Sequence, residues 1–386
     1  MHTVHFSHSF SRLSETFIYD YVTSLQKQDV RADIITLNHI NSDERPFDKV
    51  RELSLPLWNI PRLWNISRDM IMKRKTEVSA WPVYRNRLRK ILQKNKPDII
   101  HAHFGPMGVL IAPVAKELGI PLVVTFYGYD ISELLEEEFW RKAYNDLSHT
   151  ANRVTVLSEE MKERAEGAGF SARQTEVVHL GTNVESVKYR VPSTPVRRFL
   201  SVGRLSDKKG HIDSLKAFKS VIEATNTPLV FEIIGEGESR GKIESFIESH
   251  RLSKSVSLLG SMPHSQVIKK LYSADVFVLN SKASASGDKE GTPTVLAEAQ
   301  AAGLPCLSTY HSGIPEMIPE ENHILLAEEG NTDQISANMK RIINASKDEI
   351  EAISYRGRKH VEENFNVMKE VLKFKKIYQK LSGNGF

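Results

Sequence analysis

Residues 274–307 read ADVFVLNSKASASGDKEGTPTVLAEAQAAGLPCL. Val276 to Leu279 form a short apolar run of the kind that makes a buried strand. A polar, glycine-containing loop follows. Residues 294–302 then carry helix formers up to a stop at Gly303-Leu304-Pro305, and Cys306 and Leu307 begin another apolar run. The order strand, loop, helix, strand describes one unit of a parallel α/β sheet. In such a unit the helix starts at the carboxyl edge of the sheet, where open α/β folds bind ligands and where free backbone N–H groups attract anions.

Glu290 precedes this helix, and Glu298 falls on its second turn, near Thr294 and Val295 at helical spacing. Carboxylates that accept hydroxyl hydrogens, beside N–H groups that receive phosphate, suit a sugar joined to a diphosphate. Taken alone, the pair reads more simply as two solvated glutamates on a surface helix. The rest of the chain decides between the two.

Outward from this unit, short apolar runs alternate with helical patterns in two similar halves. In the first half the runs at 3–6, 32–37, 98–102, 122–126 and 153–157 predict strands, and 15–27, 83–93, 108–118 and 159–168 predict helices. In the second half the strands are expected at 198–202, 229–234, 256–259, 276–279 and 306–309, with helices near 211–224, 240–249, 265–272 and 294–302. Such alternation predicts an α/β fold with one parallel sheet per half, covered on both faces. The two prolines in 191–195 interrupt both periodicities and place the junction there. The expected division is therefore 1–190, 191–366 and a final helical stretch, 367–386.

The 386 residues suffice for two or three domains, and the composition, 26% charged and 40% hydrophobic, is that of a globular protein. A net charge of +4 is too small to argue for nucleic acid. It is unevenly spread: residues 56–96 hold eleven Lys and Arg against Asp69 and Glu77, interleaved with Trp58, Trp64 and Trp81. That pattern fits either a solvated helical face or a surface resting on anionic lipid. One cysteine excludes an intrachain disulfide and any Cys-based metal site, and fits a reducing, cytoplasmic setting. The first residues lack the basic flank and apolar core of a signal peptide, and no run of eighteen apolar residues predicts a transmembrane helix.

Other motifs fall at predicted strand ends. After the first strand comes SHSFSRLSETFIYDYV, with Ser14 as a plausible N-cap, Glu15 in the first turn and no glycine in the turn. KPDIIHAHFGPMG places His101 and His103 on one strand face, a spacing that suits a metal, but no third ligand is evident, so packing or substrate contact is expected. VTFYGYD ends the next strand with Tyr127, Gly128 and Asp130 in a turn. SVGRLSDKKG brings Arg204, Lys208 and Lys209 to another strand end, where held cations form an anion clamp; Lys208 is expected to be solvated. Gly235, Gly237 and Gly241 only loosely resemble a dinucleotide fingerprint and carry little weight.

Together these motifs resemble the retaining glycosyltransferases of family 4, in the branch that builds bacterial surface polysaccharides such as colanic acid. SETFI, DIIHAHFGPMG, TFYGYD, VTVLSEEM, VVHLGTNVE, VGRLSDKKG, IIGEGE, ADVFVLNS, EGTPTVLAEAQAAGLP and SGIPEMI occur in the family's order. The resemblance implies the GT-B fold of two facing Rossmann-like domains, with the last helix packing back on the first. It implies that Arg204 and Lys209 hold the donor diphosphate, Glu290 the transferred sugar, Glu298 the ribose, and the backbone near Thr294 and Val295 a phosphate, with Gly291 and Thr292 also binding substrate. Ser261 and Met262 would meet the base. Tyr127 stands where many relatives have a histidine that contacts the donor sugar, with Gly128 and Asp130 beside it and His103 as an alternative polar contact. The implied partners are a nucleotide-sugar donor such as a UDP- or GDP-sugar and a glycan, lipid-linked or small-molecule acceptor. No Asp-x-Asp occurs, so no metal and no cofactor are expected. Competing readings are a glycoside hydrolase, which would not need the Arg204 and Lys209 clamp, a GT-B sugar-nucleotide epimerase and a non-catalytic nucleotide-sugar binder.

Overall fold

The computed structural model describes residues 1–12, 16–43, 45–53, 55 and 78–383. Ser14, Glu15 and the tryptophans at 58 and 64 therefore lie outside the described residues, as does residue 56–77 of the basic stretch. The chain forms two compact units. One comprises Met1–Val156, Lys162–Val178 and the chain from Val371 onward; the other comprises Leu157–Met161 and His179–Glu370.

In the first unit the strands are β1 (His2–Phe10), β2 (Arg31–His39), β3 (Val50–Glu52), β4 (Ile99–His103), β5 (Leu122–Thr125), β6 (Arg153–Val156) and β7 (Thr175–Val177). They pair in parallel in the order β3-β2-β1-β4-β5-β6-β7. Helices α1 (Thr16–Gln26), α2 (Trp81–Lys94), α3 (Gly105–Leu118), α4 (Glu138–Ser148) and α5 (Glu159–Gly167) connect them. In the second unit β8 (Arg198–Val202), β9 (Val230–Ile234), β10 (Val256–Leu258), β11 (Val276–Leu279), β12 (Cys306–Thr309) and β13 (Leu326–Ala327) form a parallel sheet in the order β10-β9-β8-β11-β12-β13. Its helices are α6 (His211–Glu223), α7 (Arg240–Ser249), α8 (His264–Ser273), α9 (Thr294–Ala301), α10 (Ile314–Met317), α11 (Thr332–Asn344) and α12 (Lys347–Asn364), followed by α13 (Val367–Leu381).

Both faces of the second sheet are covered, and the side chains divide with the two-residue period of a strand. On β8 and β11, Phe199, Val276 and Val278 enter one core with Phe218 and Phe231, while Leu200, Phe277 and Leu279 enter the other with Leu296. This double burial explains why these strands read as continuous apolar runs.

Elements that the sequence pattern did not predict have identifiable reasons. β3, β7 and β13 are two- or three-residue strands at or near sheet edges, too short to carry a period. α4 buries Trp140, Tyr144 and Leu147 at helical spacing, a stripe that its many charges obscure. The unit boundary falls at Val178/His179, ahead of the prolines at 192 and 195. Val184 and Val187 already belong to a core of the second unit. Likewise α13 is divided: the Glu370 carboxylate accepts the His179 backbone N–H at 2.9 Å, whereas Phe374, Ile377 and Tyr378 are buried in the first unit.

On α2, Arg85 lies over the Trp81 ring and donates to the carbonyls of Val109 and Leu110, and Arg89 donates to both oxygens of Glu117. Part of the basic stretch thus serves packing against α3. Among the described residues, no helix is long and apolar enough to cross a membrane.

Candidate functional site

In the second unit the strand order reverses between β8 and β11, and the loops that leave these strands, 203–210 and 280–293, meet at the sheet's carboxyl edge. They touch backbone to backbone. Gly210 has φ +64°, and a Cβ there would lie 1.8 Å from the carbonyl oxygen of Asn280. The Lys282 N–H donates to the Lys208 carbonyl at 2.8 Å.

This approach gathers opposite charges. Lys209 Nζ donates to one oxygen of Glu290, and Lys208 Nζ lies 3.2 Å from the other and 3.0 Å from Asp288 Oδ1. The expectation that Lys208 is solvated is therefore corrected: its side chain is 21% exposed and ion-paired, because the two loops converge. The Glu290 side chain is 8% exposed. Burial alone would raise its pKa, but the Lys209 and Lys208 ammonium groups outweigh that and hold it down at about 2. For Lys208 burial would lower the pKa, and the Glu290 and Asp288 carboxylates reverse the sign and raise it. Glu290 and Lys208 are therefore both charged at neutral pH.

Other residues expected at the site divide. Arg204 is on the same loop, but its guanidinium is 69% exposed and pairs with Glu238 at 3.2 Å. Gly291 and Thr292 are buried behind Glu290, while Thr294 and Val295 open α9, where first-turn N–H groups have no partner within the helix. Buried oxygens or hydroxyls of Ser206, Asn280 (Oδ1), Ser281 and Thr292 have no hydrogen-bond partner, so unused hydrogen-bonding capacity concentrates at this edge. Glu298 is 13% exposed and accepts from His264 Nε2 at 2.8 Å, a partner that the sequence reading missed because it belongs to the preceding strand-helix unit. Ser261 is exposed, and Met262 packs on the core.

The first unit corrects two expectations. His5 on β1 is the third imidazole missing beside His101 and His103; it was hidden because it lies on a neighbouring strand, in register with His101. Ligand atoms of the three lie within 4.8 Å of one another. All six ring nitrogens already have partners. His5 bonds Thr3 and His103 at 3.1 Å each, His103 bonds the Tyr127 hydroxyl at 2.6 Å, and His101 bonds Tyr378 at 2.5 Å and Thr125 at 2.6 Å. The rings are fully buried, and burial lowers the pKa of each, that of His103 to about 3, so the cluster is a neutral hydrogen-bonded network. His103 thus reaches the sheet edge only through Tyr127, which is half-buried and stacks on Phe17 at 4.7 Å.

Asp130, expected to face a substrate, is fully buried, and its oxygens accept the N–H groups of Gly105, Tyr127 and Gly128. It fixes the turn and the start of α3; burial pushes its pKa up to about 6 against those donors. Above the same edge, where the strand order reverses between β1 and β4, a cavity of about 350 Å³ is lined by His8, Trp81, Tyr84, Met107, Tyr129 and Trp140 among others.

Residues 14–186 match the family described as Glycosyltransferase Family 4, and residues 188–360 match the one described as Glycosyl transferases group 1. The chain is 30% identical over 277 residues to the putative colanic acid biosynthesis glycosyltransferase WcaL of Escherichia coli (strain K12), covering 70% of this chain and 68% of that one. It is 32% identical over 276 residues to the amylovoran biosynthesis glycosyltransferase AmsK of Erwinia amylovora, covering 70% and 67%. Among solved structures it is similar to HepE from Anabaena in complex with UDP, with a TM-score of 0.77 at 15% identity over 98% of this chain and 100% of that one. A glycosyltransferase from Rickettsia africae gives a TM-score of 0.75 at 16% identity over 100% and 99%. These matches cover both parallel-sheet units, and the chain belongs to the family 4 glycosyltransferases, with the GT-B fold.

Proposed function

We propose that the protein is a retaining, metal-independent glycosyltransferase that moves a sugar from a nucleotide-diphosphate sugar to a glycan or lipid-linked acceptor during assembly of a bacterial surface polysaccharide. The cluster of Lys208, Lys209 and Glu290 at the carboxyl edge of the second sheet carries this reading. Breaking the bond between the anomeric carbon and the diphosphate leaves negative charge on the departing oxygen. Preorganised donors at such an oxygen typically contribute about 3 kcal/mol each. In this reading Lys209 and the N–H groups at the start of α9 receive that charge, and Arg204 turns from Glu238 to the diphosphate. Glu290 accepts hydroxyls of the transferred sugar, and Glu298 those of the ribose.

Side-chain cations at this position, together with the absence of an Asp-x-Asp pair, support a reaction without metal. Retention follows from attack on the face that the diphosphate leaves: the acceptor hydroxyl forms the new bond to the anomeric carbon while its proton passes to the departing phosphate oxygen. The names of the relatives support an acceptor from polysaccharide assembly, and the UDP held by HepE supports a uridine nucleotide. The aromatic cavity of the first unit is the acceptor side in this reading.

Thermal unfolding with UDP-, GDP- and ADP-sugars, in chelator, tests the donor side. A ligand at a hundred times its dissociation constant stabilises by about 2.7 kcal/mol, a visible shift. One nucleotide class should raise the Tm of the wild type and leave that of the Arg204→Ala/Lys209→Ala variant unchanged. Absence of a shift with every class would return the epimerase, hydrolase and binder readings to equal standing.

A further inference from the structure

The loop 280–293 must hold Glu290 still, although it contains no regular secondary structure. Lysine contacts fix the Glu290 carboxylate. Its backbone is held separately, by two residues that no sequence motif suggested.

His311, in the loop after β12, is fully buried. Its Nε2 accepts the backbone N–H of Glu290 at 3.1 Å, and its Nδ1 lies 2.6 Å from Glu329 Oε1. Because Nε2 faces an N–H group it acts as an acceptor, so the ring proton is on Nδ1 and is donated to Glu329. The other oxygen of Glu329, Oε2, accepts the N–H of Ala283 at 2.8 Å. The same dyad therefore grips the loop near its entry, at Ala283, and near its exit, at Glu290. The Thr309 hydroxyl adds a bond to the Ser281 carbonyl at 2.5 Å, tying the loop again to the end of β12.

We propose that His311 and Glu329 are positioning residues for sugar transfer: Glu329 orients the imidazole, and the imidazole fixes the backbone of Glu290 and so aims its carboxylate at the donor. The inference rests on the function proposed above for its catalytic consequence, but the mechanical grip is separable from it. Neither side chain touches substrate in this scheme. A carboxylate that must meet sugar hydroxyls as charge develops gains from a backbone that cannot drift, since a misplacement of about 1 Å can cost about a hundredfold in rate.

Amide hydrogen exchange on the full, ligand-free chain reads the grip, and UDP release from UDP-glucose reads the chemistry. In His311→Leu the Glu290 amide should exchange at least about tenfold faster than in the wild type. In His311→Gln, whose amide oxygen can still accept, protection should partly return. Glu329→Ala should speed exchange at Ala283 and Glu290 together, and it guards against a His311→Leu chain that fails to fold. His311→Leu should lower kcat by about a hundredfold with the KM for UDP-glucose nearly unchanged. In a Glu290→Gln background it should cost little more, because residues acting through one another are non-additive. Unchanged exchange at Glu290, or an equal further loss of kcat in the Glu290→Gln background, overturns the proposal. Exchange that responds as expected in a protein that turns over no nucleotide sugar would instead count against the proposed function and leave the grip standing.

Discussion

At Glu290 burial and ion pairing act in opposite directions, and the pairing wins, which fixes the sign of its contribution to stability. A carboxyl whose folded pKa is depressed stabilises the protein above its unfolded value, near 4.5 here, and that contribution is lost as the pH falls through about 2. Glu290→Gln removes the charge that Lys209 pairs with and one of the two that Lys208 pairs with, so it should destabilise by about 2 kcal/mol at pH 7. Denaturant titrations should show this gap to the wild type closing between pH 4.5 and 2, and a gap constant across that window would exclude the ion-paired description. The sequence displayed Glu290 and its spacing to Glu298, because a helix imposes that spacing locally. It did not display Lys208 as a partner, the engaged carboxylate of Asp130 or the role of His311. Each depends on where another strand's loop arrives, and one-dimensional spacing does not encode that.

At the scale of elements, a glycine matters most where one loop leaves no room for a side chain on another. Gly210 combines a left-handed backbone with the 1.8 Å approach of a Cβ to the Asn280 carbonyl. Gly210→Ala should thus cost at least about 3 kcal/mol, from the αL penalty and the displaced loop together. Gly241, in the first turn of α7, meets nothing within 4 Å, so Gly241→Ala should be neutral or stabilise by up to about 1 kcal/mol. Thermal melts of the two variants decide this: similar behaviour would remove the close-approach argument. The contrast also accounts for the loose fingerprint in the sequence. Gly235 and Gly237 abut the backbone of Gly203 and Leu205, as loop packing requires, whereas the third glycine has no such constraint. Strand and helix positions were legible for the same reason that these contacts were not: doubly buried strands give continuous apolar runs, while contacts between loops leave only isolated glycines.

At the scale of the whole molecule, the imidazoles whose pKa burial lowers are unevenly divided between the units, and this predicts which responds first to acid. Burial lowers the pKa of His5, His101, His103 and His8 in the first unit; in the second it lowers that of His211, to about 4, and that of the partly buried His360. An imidazole whose folded pKa is depressed contributes stability that is present above the unfolded value, near 6.5, and lost as pH falls through the folded one. Each such ring adds about 1.4 kcal/mol of destabilisation per pH unit within that window. The first unit should therefore lose exchange protection in β1 and β4 at a higher pH than the second loses it in β8 and β11. His103→Gln should lower stability at pH 7, because the bonds to His5 and Tyr127 are disturbed, yet make the first unit's dependence on pH shallower by about one ring's share. These two effects have opposite signs below pH 6.5, so a single set of exchange measurements between pH 7 and 4 separates them. An unchanged slope would mean that the folded cluster takes up a proton or an ion after all, and the neutral hydrogen-bonded network would have to be abandoned.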